Sequence, residues 1–375
     1  VAFALVAEKL FDGERILEDV SLIIDDDGRI ASIGKSPQSS ATYLQGLLAP
    51  GLVDVQVNGG GGVLFNQEPN VAGLRTMGEA HARFGTTAFL PTLITDRLDI
   101  MQDAANAVSA ALHQQVPGVI GIHFEGPHLS VPKKGTHEQS FIRPLSDEEW
   151  EIYAREDLGI KVVTLAPETV PMEDISRLSS MGVRVCLGHS NADGETVRSA
   201  LQAGAVGFTH LYNAMSPLHS REPGMVGSAL VSDEAWCGII ADGHHVSAEA
   251  ITLALKVKPR GKLLLVTDAM SLVGSDALSF PLFDRVVTRE GDKLTSSTGE
   301  LAGSHLDMMG AVRNISDWCG LDICESLRMA SLYPCQFLGS QGGSIVPGAK
   351  ANFILLDRSF NVQKTWIGGC QVYGE

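Results

Sequence analysis

Hydrophobic and polar positions along the chain fall into two regimes. Near the start, VSLIIDDDGRIASIG alternates apolar and polar residues on either side of an Asp-Gly turn, the pattern of a β-hairpin. The closing stretch, GSIVPGAKANFILLDRSFNVQKTWIGGCQVY, has the same look. Two β-rich ends around a different middle predict one small domain assembled from both termini. Between them run eight short apolar segments, at 53–57, 87–93, 119–126, 161–167, 183–190, 207–214, 237–243 and 263–269. Most are separated by helical stretches, among them SDEEWEIYARE, opened by a capping box of Ser146 and Glu149, and EDISRLSSMG, closed by Gly182. Eight alternating β and α units predict a (β/α)8 TIM barrel, with a doubly wound open sheet as the alternative topology. The predicted organisation is a β-sandwich domain built from 1–47 and 342–375 around a catalytic barrel at 48–341.

Composition adds limits to this picture. With 44% hydrophobic and 19% charged residues, the chain of 375 residues can bury a large core. A formal charge of −16 argues against nucleic acid and anionic membranes as partners, so an anionic small substrate would need local cations. No apolar run has the length of a membrane span, and the start VAFALVAEKLFDGERI lacks the basic region and cleavage site of a leader. Six cysteines without a C-x-x-C pair read as reduced thiols, and the expected compartment is the cytoplasm.

Candidate chemistry collects at the ends of the predicted strands, where barrel enzymes carry their active sites. Gln56 and Asn58 close the first segment, Glu125 the third, His189 the fifth and His210 the sixth; Asp242 and His245 stand at the seventh and Asp268 at the eighth. A single histidine in such a place is more often a satisfied core residue than a ligand. Glu125, His189 and His210 together make a sound catalytic zinc set with a fourth position left for water. With a period of two, Asp54, Gln56 and Asn58 share one face of their strand, as do His123 and Glu125; His123, lower on its strand, reads as packing or support. His81, His113, His128, His219 and His305 read as structural or surface residues. Asp268 ends an apolar strand and is either half of a buried ion pair or a general base beside a metal.

The segments PGLVDVQVNGGGG, HFEGPHL, KKGTH, GHSNA, THLYNAMSP, REPG, GIIADGHHV, LVTDA, LAGSHLDM and PGAKANFILLD, in this order, resemble the N-acetylglucosamine-6-phosphate deacetylase family of the amidohydrolase superfamily over nearly the whole chain. The resemblance implies an amidohydrolase-type barrel that removes the acetyl group from N-acetyl-D-glucosamine 6-phosphate. It implies Glu125, His189 and His210 as metal ligands, Asp268 as catalytic acid and base, and His137 as the group that polarises the acetyl carbonyl. It places Asn213 and Ala214 at the sugar phosphate, Arg221 and His245 at the phosphate, and Leu301 at the N-acetyl end. Many relatives hold a second metal on a His-x-His pair, where this chain has Gln56-x-Asn58; neutral amides are poor zinc ligands, so one divalent ion per chain, zinc, is expected. A homodimer or higher homo-oligomer is implied as well, with His245 reaching into a neighbour's site.

Overall fold

In the computed structural model, which describes residues 2–35 and 40–374, the eight apolar segments form one parallel sheet in sequence order. Its strands are Leu52–Val57, Thr86–Ile94, Gly121–Glu125, Ile160–Leu165, Arg184–Leu187, Gly207–Phe208, Trp236–Ile239 and Leu263–Leu265. A parallel bridge between Val57 and Ala269 brings the first strand back to the chain leaving the last, so the sheet is a barrel and not a doubly wound open sheet. Each strand is followed by a helix, from Val71–Ala82 after the first to Met308–Cys319 after the eighth.

Local chemistry accounts for these elements. Helix Asp147–Tyr153 starts where the N–H of Ser146 donates to Glu149 Oε2 at 2.7 Å. Helix Met172–Ser180 ends before Gly182, whose φ of 77° suits a residue without Cβ. Several strands are shorter than the apolar segments. The fifth ladder stops at Leu187 and the sixth at Phe208, because His189 (φ 46°) and His210 (φ 35°) turn the chain into the left-handed region. Asp268 (φ 52°) does the same after the eighth. The residues with chemistry therefore stand just beyond the ladder, at the C-terminal mouth.

Phe3–Phe11, Ile16–Ile24, Ile30–Gly34 and Thr42–Pro50 join Phe353–Leu356, Val362–Ile367 and Cys370–Tyr373 in a separate seven-stranded sheet. The expected hairpin is present, with Ser21 opposite Gly34 and Ile24 opposite Ile30. The two chain ends meet where Thr42–Pro50 lies antiparallel to Phe353–Leu356. At the far edge, Ile30 N donates to Ala349 O at 2.9 Å and Arg29 bridges to Lys350, which draws the outer strand across the sheet. The fold-over encloses its own core of Leu22, Ile24, Leu48, Phe353 and Trp366, distinct from that of the barrel. Phe353 is fully buried with its ring 5.0 Å from that of Trp366. Phe353→Ala is expected to cost about 3–5 kcal/mol of stability, read as a lowered urea midpoint with the slope unchanged.

A three-stranded antiparallel sheet, Ser279–Leu282, Arg285–Glu290 and Lys293–Ser296, follows the eighth strand. This sheet lies outside the eight barrel segments and the two β-rich ends, and FPLFDRVVTREGDKLTSS carries the alternation and the turn residues that form it. Phe280, Leu282, Val287 and Leu294 pack on Leu64 and Ile94, which lie beyond or at the ends of the first two barrel strands. The six cysteines are free of disulfides, and among the described residues no helix is long and apolar enough to cross a membrane.

Candidate active site

Glu125, the last residue of the third strand, is buried with His189 and His210. Its Oε1 lies 3.2 Å from His189 Nε2 and 2.9 Å from His210 Nε2, and the two nitrogens are 3.1 Å apart. Burial would raise the Glu125 pKa, but the hydrogen bonds and charges of the two imidazoles hold it well below the usual carboxylate range. His189 Nδ1 meets the Lys133 carbonyl at 2.8 Å. A carbonyl can only accept, so Nδ1 carries the proton and Nε2 keeps its lone pair. One carboxylate oxygen and two imidazole nitrogens converging in this way fit a divalent cation.

Asp268 stands beside the cluster. Its Oδ1 accepts from Asn58 Nδ2 at 2.5 Å and from Gln56 Nε2 at 3.2 Å, and Gln56 Nε2 also donates to Glu125 Oε1 at 3.1 Å. Both amides on the first strand are thus donors to carboxylates. Asp268 Oδ2 has no protein donor among the described residues. Burial and the nearby Glu125 charge push the Asp268 carboxyl up to about 6.

His137 is buried in the loop after the third strand, with its ring centroid 4.4 Å from that of His189. The N–H of Thr95 donates to His137 Nδ1 at 3.3 Å, and Thr95 Oγ1 lies 2.8 Å from the same atom. An acceptor Nδ1 puts the proton of the neutral ring on Nε2, and burial keeps the ring neutral by pushing its pKa down to about 3. His123 spends both ring nitrogens on Val55 O, 2.9 Å, and Thr164 Oγ1, 2.7 Å. His81 and His128 are likewise buried against internal partners.

The other expected positions are more dispersed. Asn213 and Ala214 follow His210 directly, and the Ala214 carbonyl accepts from Ser190 N at 3.1 Å, tying this loop to the one carrying His189. His245 Nδ1 is 2.6 Å from Asp242 Oδ2, and its charge is near enough to Asp268 to lower that group's pKa. Leu301 bridges to Thr295 at the edge of the three-stranded sheet. Arg221 is exposed and has no partner among the described residues. Thr95, the Lys133 carbonyl and Thr267 escaped the sequence reading because they act through hydrogen bonds between distant segments.

A parallel barrel with a Glu–His–His cluster and an adjacent carboxylate at its C-terminal mouth defines a hydrolase of the metal-site barrel class. The chain belongs to the amidohydrolase family, whose pattern matches residues 47–372. It is 51% identical over 329 residues to N-acetylgalactosamine-6-phosphate deacetylase of Shewanella sp. (strain ANA-3), an overlap of 88% of this chain and 84% of that protein. The crystal structure of N-acetylglucosamine-6-phosphate deacetylase from Pasteurella multocida superposes with a TM-score of 0.94 at 36% identity, covering 98% of this chain and 99% of that one. A mutant of the corresponding Mycobacterium smegmatis enzyme, in complex with N-acetyl-D-glucosamine-6-phosphate, gives a TM-score of 0.92 at 25% identity, with 99% of both chains covered.

Proposed function

We propose that this protein hydrolyses the acetamide of N-acetyl-D-glucosamine 6-phosphate, releasing acetate and D-glucosamine 6-phosphate. The observation that carries the reading is the Glu125, His189 and His210 cluster with Asp268 held beside it. The cluster would hold one divalent ion, zinc, which when bound supplies a Lewis acid that acidifies water and polarises the acetyl carbonyl. Asp268 carries the proton. With its pKa near 6 it is ionised at neutral pH, takes a proton from the attacking water and returns it to the departing amine. Gln56 and Asn58 occupy Oδ1 and leave Oδ2 for that transfer. His137 offers its Nε2–H to the carbonyl oxygen as negative charge develops there.

Arg221 and His245 are assigned to the phosphate, Asn213 and Ala214 to the sugar phosphate, and Leu301 to the acetyl end. The partnerless Arg221 guanidinium supports the first assignment, in a chain that is otherwise strongly acidic. Arg221→Ala is expected to raise KM for the phosphorylated sugar by roughly 10- to 100-fold, the value of a lost charge-assisted hydrogen bond. KM for unphosphorylated N-acetylglucosamine should stay within about twofold. Equal losses on both sugars would remove the phosphate role.

The galacto epimer is a second reading, favoured by the 51% identity to a deacetylase named for N-acetylgalactosamine 6-phosphate. Acetate release from each phosphorylated epimer, measured with the metal content of the same sample, tests both. Release from neither would refute the deacetylase reading, and the kcat/KM ratio chooses the epimer. The proposal extends to a cytoplasmic homodimer or higher homo-oligomer and to the division 1–47, 48–341 and 342–375. Exposed Leu253 and Trp318 on adjacent helices support self-association, and separate apolar cores support the division.

A further inference from the structure

Asp54 lies fully buried on the first barrel strand, two residues before Gln56, and no step above uses it. A carboxyl group there is costly unless its oxygens are satisfied, and both are. Oδ2 accepts from Thr267 Oγ1 at 2.5 Å, and Oδ1 accepts from the backbone N–H of Gln56 at 3.1 Å and of Thr267 at 3.4 Å.

The Thr267 bonds cross the seam of the barrel. The first and eighth strands stand at opposite ends of the strand order and meet through the bridge from Val57 to Ala269. Thr267 immediately precedes Asp268, and its hydroxyl oxygen also accepts the N–H of Ala269 at 3.2 Å. Asp54 therefore holds the residue before Asp268 through its hydroxyl and its backbone N–H, and that hydroxyl in turn holds the N–H of the residue after it. Between them Asp268 has a φ of 52°, a conformation that costs about 1–3 kcal/mol unless its surroundings impose it. Its N–H donates to Gln56 O at 3.0 Å and its carbonyl accepts from Ser304 N at 2.9 Å, so the constraint is complete on either side.

We infer that Asp54 is a positioning residue for proton transfer: acting through Thr267, it holds Asp268 in the left-handed conformation that presents its carboxylate beside the metal-type cluster. The inference rests on the reading of Asp268 as the proton carrier. Thr267→Val keeps the branched shape and removes the hydroxyl, leaving Asp54 short of a donor and Ala269 short of an acceptor. Misplacement of a reacting group by ~1 Å costs about 100-fold. Thr267→Val should therefore lower kcat at least about tenfold, with KM and metal content unchanged.

Thr267→Ser, which restores the hydroxyl, should recover turnover to within about threefold of wild type. Asp54→Asn should show the same kcat defect, and the double variant with Thr267→Val should be no worse than the poorer single one, because both act along one path. If Asp54→Asn fails to fold, the two Thr267 variants decide alone. Wild-type kcat in Thr267→Val, a serine variant as impaired as the valine one, or loss of metal together with a raised KM would each overturn the inference. A parallel Asp268→Asn sample separates the premises. Undiminished turnover there removes the proton-carrier reading, whereas a large loss there with an unaffected Thr267→Val removes the Asp54 role only.

Discussion

Asp268→Asn is expected to lower kcat by about a thousandfold, within the range for removing a general acid–base group, while the protein still folds and still binds metal. Asparagine keeps the shape of aspartate and can present an oxygen to the Asn58 and Gln56 N–H groups that now reach Oδ1 at 2.5 and 3.2 Å. What it loses is the capacity to accept and return a proton. The carboxyl is pushed up to about 6 by burial and by Glu125, close enough to neutrality for both halves of the transfer. KM should change little, because the defect lies in the transition state and not in substrate binding. Metal analysis, circular dichroism and steady-state kinetics on one preparation check the claim. A variant that loses metal and unfolds would mark Asp268 as a ligand or a structural ion-pair partner instead.

Chelation, or the replacement His189→Ala, should lower activity at least about a hundredfold, more than the loss typical of an outer-shell partner. Elemental analysis of the dialysed wild type should give close to one ion per chain. The count follows from the chemistry of the first strand. Gln56 Nε2 donates to Glu125 and Asp268 and Asn58 Nδ2 to Asp268, so this strand brings neutral amides to the site, weak zinc ligands beside imidazole and carboxylate. Zinc should restore the chelated wild type but not His189→Ala. Two tightly held ions per wild-type chain would contradict both the count and the role given to the first strand.

The barrel was legible because apolar runs alternate with capped helices, and the pairing of the termini because both ends carry a period of two. The three-stranded sheet escaped because its strands are short and half exposed, so their alternation is diluted by Thr, Arg and Lys. At the site, the gathering of Glu125, His189, His210 and Asp268 followed from their register at strand ends. The state of each group did not. The proton on His189 Nδ1 is set by a carbonyl at Lys133, and that on His137 by Thr95, partners no local pattern connects. The left-handed backbone at His189, His210 and Asp268 was equally hidden, since neither histidine nor aspartate signals positive φ as glycine does.

The pairing of Pro50 with Phe353 sets a timetable for synthesis. The strand Thr42–Pro50 leaves the ribosome early, yet the strand that covers its free edge is made only after the entire barrel. At roughly 5–20 residues per second the wait is about 15–60 s. In the finished sheet Leu48 and Leu47 pair with Leu355 and Leu356, and until those partners are made that edge has nothing of its own chain to pair with, the condition in which strand edges recruit other chains. Newly made protein should therefore be most vulnerable to co-aggregation when translation is slow or polysomes are crowded, and a chaperone that shields strand edges should raise the yield without altering the activity of the finished molecule.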